Sequence, residues 1–255
     1  MLCRICKKDS VSIFKKLVLN KYNVQYYQCI NCNFIQTEEP YWLDEAYQKT
    51  INISDTGLLA RNIHLSKMTS LLIYFLFDRK GTFLDFAGGY GVFTRLMRDI
   101  GLNFLWHDPH TSNLLAQGFE WKINNPARIE LLTSFESFEH FIDPIKELQR
   151  MANISDNILF STELIPDNNI TEWKYLGPEH GQHVSFYSKK SLQIIAEKFN
   201  FNLYSNNSSL HLLTRSKKKV SIDLIYILTK LQLDLLIKLI TKSKTVSDSD
   251  YLITK

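Results

Sequence analysis

The stretch FLDFAGGYGVF, residues 83–93, decides the fold. An apolar run ends beside an acid, passes three glycines and resumes with apolar residues at helical spacing, the pattern of a strand that turns sharply into a helix. Glycines gather at such a turn when backbone must come close to a ligand, because a Cβ would fill the space. A nicotinamide fingerprint wants G-x-G-x-x-G/A. Here Gly89, Tyr90 and Gly91 are followed by Val92, Phe93 and Thr94, so the third small residue is missing. Asp85, just ahead of the loop, would repel a pyrophosphate and suits a cationic ligand, such as one carrying an ammonium group.

Outward from this turn the chain alternates. GTFLDFA, LNFLWHD, IELLTSFES and DNILFSTEL read as strands; YGVFTRLMRDIG, DPIKELQRMA and KKSLQIIAEKFN read as helices. SNLLAQG reads as a further short helix, and FNLYS with SLHLLTR as a closing antiparallel hairpin. GFEWKI, residues 118–123, is the sole candidate for the third strand. Alternation with apolar strands predicts an α/β fold, a mostly parallel sheet covered by helices on both faces. Four segments follow: a cysteine module over 1–38, a connector and helix over 39–80 that could serve as a lid, the α/β domain over 81–215, and a helical tail over 216–255.

All four cysteines fall in the first segment, as Cys3, Cys6, Cys29 and Cys32, two CxxC pairs separated by 22 residues. Tight CxxC turns present two thiolates to one tetrahedral ion, so the expected occupant is Zn2+. With every ligand supplied by protein, the metal is structural. KLVLNKYNVQYYQC, between the pairs, reads as the two strands of a small ribbon.

A hydrophobic content of 45% over 255 residues supports a real core, and a formal net charge of +4 is far from the basic loading of a nucleic-acid binder. No apolar run approaches the roughly 20 residues that span a bilayer. MLCRICKKDS lacks the apolar core of a secretory signal, and a cytoplasmic location is the expectation. The tail KKKVSIDLIYILTKLQLDLLIKLITKSK spaces Ile, Leu and Tyr as an amphipathic helix does. It could dock on the domain, pair with a second subunit, or lie on a membrane; the first two are favoured because apolar faces usually meet protein.

The glycine loop resembles the first motif, D-x-G-x-G-x-G, of class I S-adenosylmethionine-dependent methyltransferases, with Asp85, Ala87, Gly89 and Gly91 at its positions and Gly88 between. Ala87 stands where the first glycine belongs, which a methyl tolerates if φ there is negative. The family expects an acid at the end of the second strand for the donor's ribose hydroxyls, and Asp108 fits; a cap on the following helix is the alternative. SFESFEHFIDP resembles the E-x-x-EH segment after the fourth strand, placing Phe135 and Glu136 near the donor and Glu139 and His140 just beyond.

Cysteine module, glycine loop and a late EHGQHVSFYS segment together look like the methyltransferases of bacterial sugar-modification and surface-polysaccharide pathways. The resemblance implies methyl transfer to a small polar acceptor, a nucleotide-linked sugar or glycan unit, at oxygen rather than carbon. His180 and His183 are the candidate bases, with Glu179 orienting one of them. Tyr47, Asp55, Thr56, Gly57, Arg61 and Asn62 are candidate lid residues, Arg61 for a substrate phosphate. An RNA methyltransferase gripping nucleic acid through its ribbon, and a noncatalytic partner of the same fold, are the rival readings; modest charge and the absence of an N/D-P-P-Y motif argue against the first.

Overall fold

The computed structural model describes residues 1–48, 55–122 and 128–255. In chain order the elements are β1 (Ser10–Val18), β2 (Tyr22–Cys29), β3 (Ile35–Thr37), α1 (Leu43–Ala46), α2 (Leu58–Leu76), β4 (Thr82–Phe86), α3 (Val92–Asp99), β5 (Asn103–His107) and β6 (Ile129–Ser134). There follow α4 (Pro144–Ile154), β7 (Asn157–Ser161), β8 (Ser185–Phe186), α5 (Lys189–Lys198), β9 (Asn202–Ser205), β10 (Leu210–Thr214), α6 (Ile222–Lys230), α7 (Asp234–Ile240) and α8 (Thr245–Thr254). Six strands form one sheet in the order β5-β4-β6-β7-β10-β9, and four form another in the order β1-β2-β3-β8. In the larger sheet β4 runs parallel to both β5 and β6, and β9 and β10 are antiparallel. This is the mostly parallel α/β fold with a closing hairpin that the alternation predicts.

The chain forms two compact units, one of residues 1–52, 136–153 and 160–215, the other of residues 53–135, 154–159 and 216–255. In the first, the cysteine ribbon is completed from far along the chain: β8 pairs antiparallel with β3, Ile35 opposite Phe186 and Gln36 opposite Ser185. Behind it Val18, Val24, Tyr26, Ile35, Trp42, Leu176, Val184 and Phe186 share one buried cluster. The β1–β2 hairpin turns through Leu19 and Asn20, both at positive φ, and Leu19 N–H donates to the Pro178 carbonyl at 2.8 Å. Trp42, ahead of α1, donates from Nε1 to the Gly181 carbonyl at 2.8 Å. A two-residue strand such as β8 leaves no period in the sequence, so only pairing reveals it.

In the second unit, α3 starts at Gly91, whose φ of 83° suits glycine. Buried Arg98 on α3 grips Asp248 of α8 through both carboxylate oxygens, at 2.6 and 2.7 Å, and lies 3.6 Å over the Phe119 ring. Two expectations fail here. SNLLAQG forms no helix, because Asn113 Oδ1 accepts from Ala116 N and its amide donates to Glu120, side-chain bonds that replace a helical turn. The stretch over 217–244 is two helices, not one: Gln232 at φ 57° ends α6, and the Thr229 and Thr241 hydroxyls each donate four residues back at the closing turns. GFEWKI contributes a single parallel bridge, Glu120 to Trp106 on β5, and its last residue falls outside the described residues.

Candidate active site

The loop after β4 is built by three separate constraints. Gly88 N–H donates to the His107 carbonyl at 3.1 Å, and a Cβ on Gly88 would sit 2.7 Å from the Trp106 ring and 2.8 Å from Asp85 Oδ2. Gly89 is different: its φ is +52°, its N–H donates to Asp108 Oδ2 at 3.0 Å, and nothing lies within 4 Å of where its Cβ would be. That open face beside a strand-to-helix turn is a cradle a side chain would fill, as a bound ligand requires. Ala87, at φ 60°, is left-handed, so the negative φ that would make alanine free of cost is not realised; the conformation costs about 1–2 kcal/mol.

Asp85 is fully buried and points at protein. Its Oδ2 accepts from the Thr94 hydroxyl at 2.9 Å and its Oδ1 from Thr133 at 3.2 Å, which ties β4 to α3 and β6. Burial pushes its carboxyl up to about 7 against those two bonds, with the Asp108 carboxylate adding to the rise. A carboxyl raised toward neutral pH by burial and already bonded twice organises the loop. Asp108 likewise holds backbone: besides Gly89, its Oδ1 accepts from His110 N at 2.8 Å and Thr111 N at 3.0 Å. This caps a turn and not the expected helix, for none forms over residues 109–122, and Oδ2 keeps a lone pair for a diol.

Phe135 stacks edge-on against Phe93 at 4.9 Å. Glu136 sits at φ 51°, its N–H on Ser161 Oγ at 2.8 Å and its Oε1 accepting from the same hydroxyl at 2.6 Å. A non-glycine residue locked in this region by a reciprocal bond is the kind of strain that collects at working sites.

The histidines come together in the other unit. His183 is ringed by His180 at 4.6 Å, His140 at 4.9 Å and Tyr175 at 4.9 Å between centroids. His183 Nδ1 lies 2.6 Å from the Tyr175 backbone carbonyl, so Nδ1 carries the proton and Nε2 keeps its lone pair. Burial, with His140 and His180 adding, holds this imidazole well below the ordinary histidine range, and it is neutral at pH 7. His180 Nδ1 accepts from Gln182 N at 3.2 Å, and its ring packs on Gly177, where a Cβ would collide with it. Tyr47 Oη stands 2.9 Å from His140 Nδ1. Glu179 does not orient either histidine: it is exposed and makes no hydrogen bond or ion pair among the described residues, and the Tyr175 carbonyl does that work instead. Of the lid candidates, Arg61 pairs with Asp55 at 2.7 Å.

Glu139 is the residue the sequence undervalues. It is 1% exposed, and its Oε2 has no hydrogen-bond partner among the described residues. Together with His140 and His183 it offers three ligand-type atoms within 4.8 Å of one another. Burial pushes its carboxyl up to about 8, the Glu136 carboxylate adding to the rise. Its adjacency to His140 in a short turn was visible in the sequence; its burial was not.

These shifts set a pH profile for stability. Unfolded, Glu139 and Asp85 lose their protons near 4.5 and 3.8, while folded they keep them to about 8 and about 7. The folded state therefore binds more protons in between, and this contribution is lost as pH rises. His140 and His211 act oppositely: depressed from 6.5 to about 4, they make stability rise with pH in that window. Of these four groups, only the carboxyls still change protonation in the folded state above pH 6.5. The two carboxyls are thus expected to lower the unfolding free energy from urea titration by about 2 kcal/mol between pH 6.5 and 8, and Glu139→Gln to remove most of that slope; a flat wild-type profile would contradict the assignment.

The cysteines form a compact cluster. Sγ of Cys3 and Cys32 are 3.6 Å apart, Cys6 and Cys29 3.4 Å, and Cys6 and Cys32 3.7 Å, too long for disulfides. A tetrahedral zinc at 2.3 Å from each sulfur needs spacings of about 3.8 Å. Each knuckle closes with a residue at positive φ, Lys7 and Asn33, whose N–H returns to the Cys3 or Cys29 carbonyl at 3.0 Å. Ile5 N–H and Cys32 N–H point at Cys3 and Cys29 sulfur, at 3.4 and 3.5 Å. The donor set fits zinc.

A strand-to-helix glycine loop at one end of a mostly parallel sheet, with acids at the ends of two neighbouring strands, defines a Rossmann-like nucleotide-cofactor fold. The family model of the methyltransferase domain matches residues 59–206, more than half of the chain, and the chain belongs to that family. No curated protein matches it. Among solved structures it is similar to CalO1, a methyltransferase of calicheamicin biosynthesis in its SAH-bound form, at 14% identity and a TM-score of 0.42, over 60% of this chain and 54% of that one. Human N-acetylserotonin methyltransferase in complex with SAM is similar at 11% identity and a TM-score of 0.45, over 69% and 66%. An O-methyltransferase family protein from Burkholderia thailandensis is similar at 11% identity and a TM-score of 0.46, over 71% and 65%. The chain spans about half the length of the first of these.

Proposed function

We propose that this protein transfers a methyl group from S-adenosylmethionine to a hydroxyl of a small polar acceptor, a nucleotide-linked sugar or glycan unit. Family membership and the open face at Gly89 support the donor. Asp108 would accept from the ribose hydroxyls, and Phe135 and Glu136 complete the donor residues. His183 carries the reading of the chemistry: a neutral imidazole whose Nδ1 is tied to the Tyr175 carbonyl presents Nε2 as the base that takes the acceptor's proton. Methyl transfer is an in-line displacement, so most of the remaining work is alignment of the hydroxyl with the sulfonium, which can contribute roughly 7–11 kcal/mol. His180 and His140 wall the base, and burial keeps it neutral.

The four cysteines would hold one zinc ion, with a structural role. Calorimetry with S-adenosylhomocysteine is the direct test: one site per chain is expected, with Gly89→Val weakening it at least about tenfold by filling the cradle. Absence of binding to the wild-type chain would sink the proposal and favour a noncatalytic partner.

A further inference from the structure

The tail does not bury the apolar surface that its sequence carries. On α6, Ile222, Ile225 and Thr229 face inward, while Leu224 and Ile227 are each 52% exposed and Leu231, just past its end, is 65% exposed. On α7, Asp234 and Ile237 are buried. At 100° per residue, Leu235, Leu236, Leu239 and Ile240 occupy the arc opposite them, exposed by 48, 56, 80 and 57%. A helix that turns its aliphatic side outward while its acid goes inward inverts the usual pattern of a surface helix.

The charge around this face is mostly positive. Residues 216–255 hold eight lysines and four aspartates, which equals the net +4 of the whole chain. Two of the aspartates are spent inside, Asp234 buried and Asp248 paired with Arg98, leaving Asp223 and Asp250 at the surface. Lys217, Lys218 and Lys219 precede α6, Lys230 and Lys238 flank the aliphatic arc, and Lys242 follows α7, all exposed. No described helix is long and apolar enough to cross a membrane.

We infer that α6 and α7 dock this protein on an anionic lipid surface. Aliphatic side chains framed by lysines enter the headgroup region while the ammonium groups neutralise lipid phosphates. A second copy of the same face would instead bring like charges together, which disfavours self-pairing. This placement suits an acceptor carried at a membrane, though it stands on the tail alone and is independent of the methyl-transfer reading.

Sedimentation with mixed phosphatidylcholine–phosphatidylglycerol vesicles, against pure phosphatidylcholine vesicles, tests it. The full chain is expected to pellet with the anionic vesicles at least about tenfold more than with the neutral ones, and to be released by salt. The double variant Leu236→Asp and Leu239→Asp, both side chains exposed, is expected to keep its urea midpoint and stay in the supernatant. Pelleting with neither vesicle, or equally with both, overturns the inference. So does a concentration-dependent dimer that the double variant abolishes with no vesicle binding, which would assign the face to a second copy.

Discussion

His183→Ala is expected to lower turnover by a factor on the order of 100 to 10,000 and to leave S-adenosylhomocysteine affinity nearly unchanged. The split follows from where the residue belongs. His183 contacts Tyr175, His140 and His180, all in the unit that carries the ribbon, whereas the Gly89 cradle and Asp108 belong to the other. Removing the imidazole removes the proton acceptor and touches none of the loop's hydrogen bonds. The pH profile separates a base from a merely structural histidine. With its pKa held well below the ordinary value, His183 is neutral through the range where a free histidine titrates, so wild-type kcat/KM should show no loss as pH falls through 6.5. Equal loss of turnover and donor affinity in the variant would show that the base has been misplaced.

Stripping the zinc proposed for the four cysteines should be the other large effect. Structural zinc contributes on the order of 10–16 kcal/mol in isolated finger peptides, and this ribbon holds more than itself. Arg4, between the first two cysteines, donates to the Val184 carbonyl at 3.2 Å and to Thr37 at 3.0 Å, and Ser188 Oγ donates to the Cys32 carbonyl at 2.6 Å. These bonds bracket β8, and Val184 is the residue after the proposed base. One zinc per chain by elemental analysis is the expected starting point. Chelation, or Cys29→Ser, is then expected to abolish turnover while S-adenosylhomocysteine still binds. Full turnover in metal-free protein would refute the structural role.

Much of the fold was legible because its signals are local. Asp85 ahead of Gly88, Gly89 and Gly91 marked the strand-to-helix turn, and the apolar alternation after it placed β4 to β7 and the closing hairpin. SNLLAQG was misjudged because Asn113 uses its side chain where a helix would use backbone. Glu179 was misjudged because charge next to a histidine in sequence is no guide to contact, and a backbone carbonyl, which every residue owns, took the role.

The sequence by itself determined the class: the glycine loop, the acids of two successive strands and the paired CxxC motifs are chemistry written in consecutive residues. Tertiary structure alone decided what those residues do. It turned Asp85 inward onto Thr94 and Thr133, buried Glu139 beside the histidines, closed the ribbon with β8 from 150 residues away, and set the tail's aliphatic side outward. The physical reason is that spacing fixes which face of an element a side chain occupies, whereas burial, protonation and partners depend on what long-range packing brings against that face.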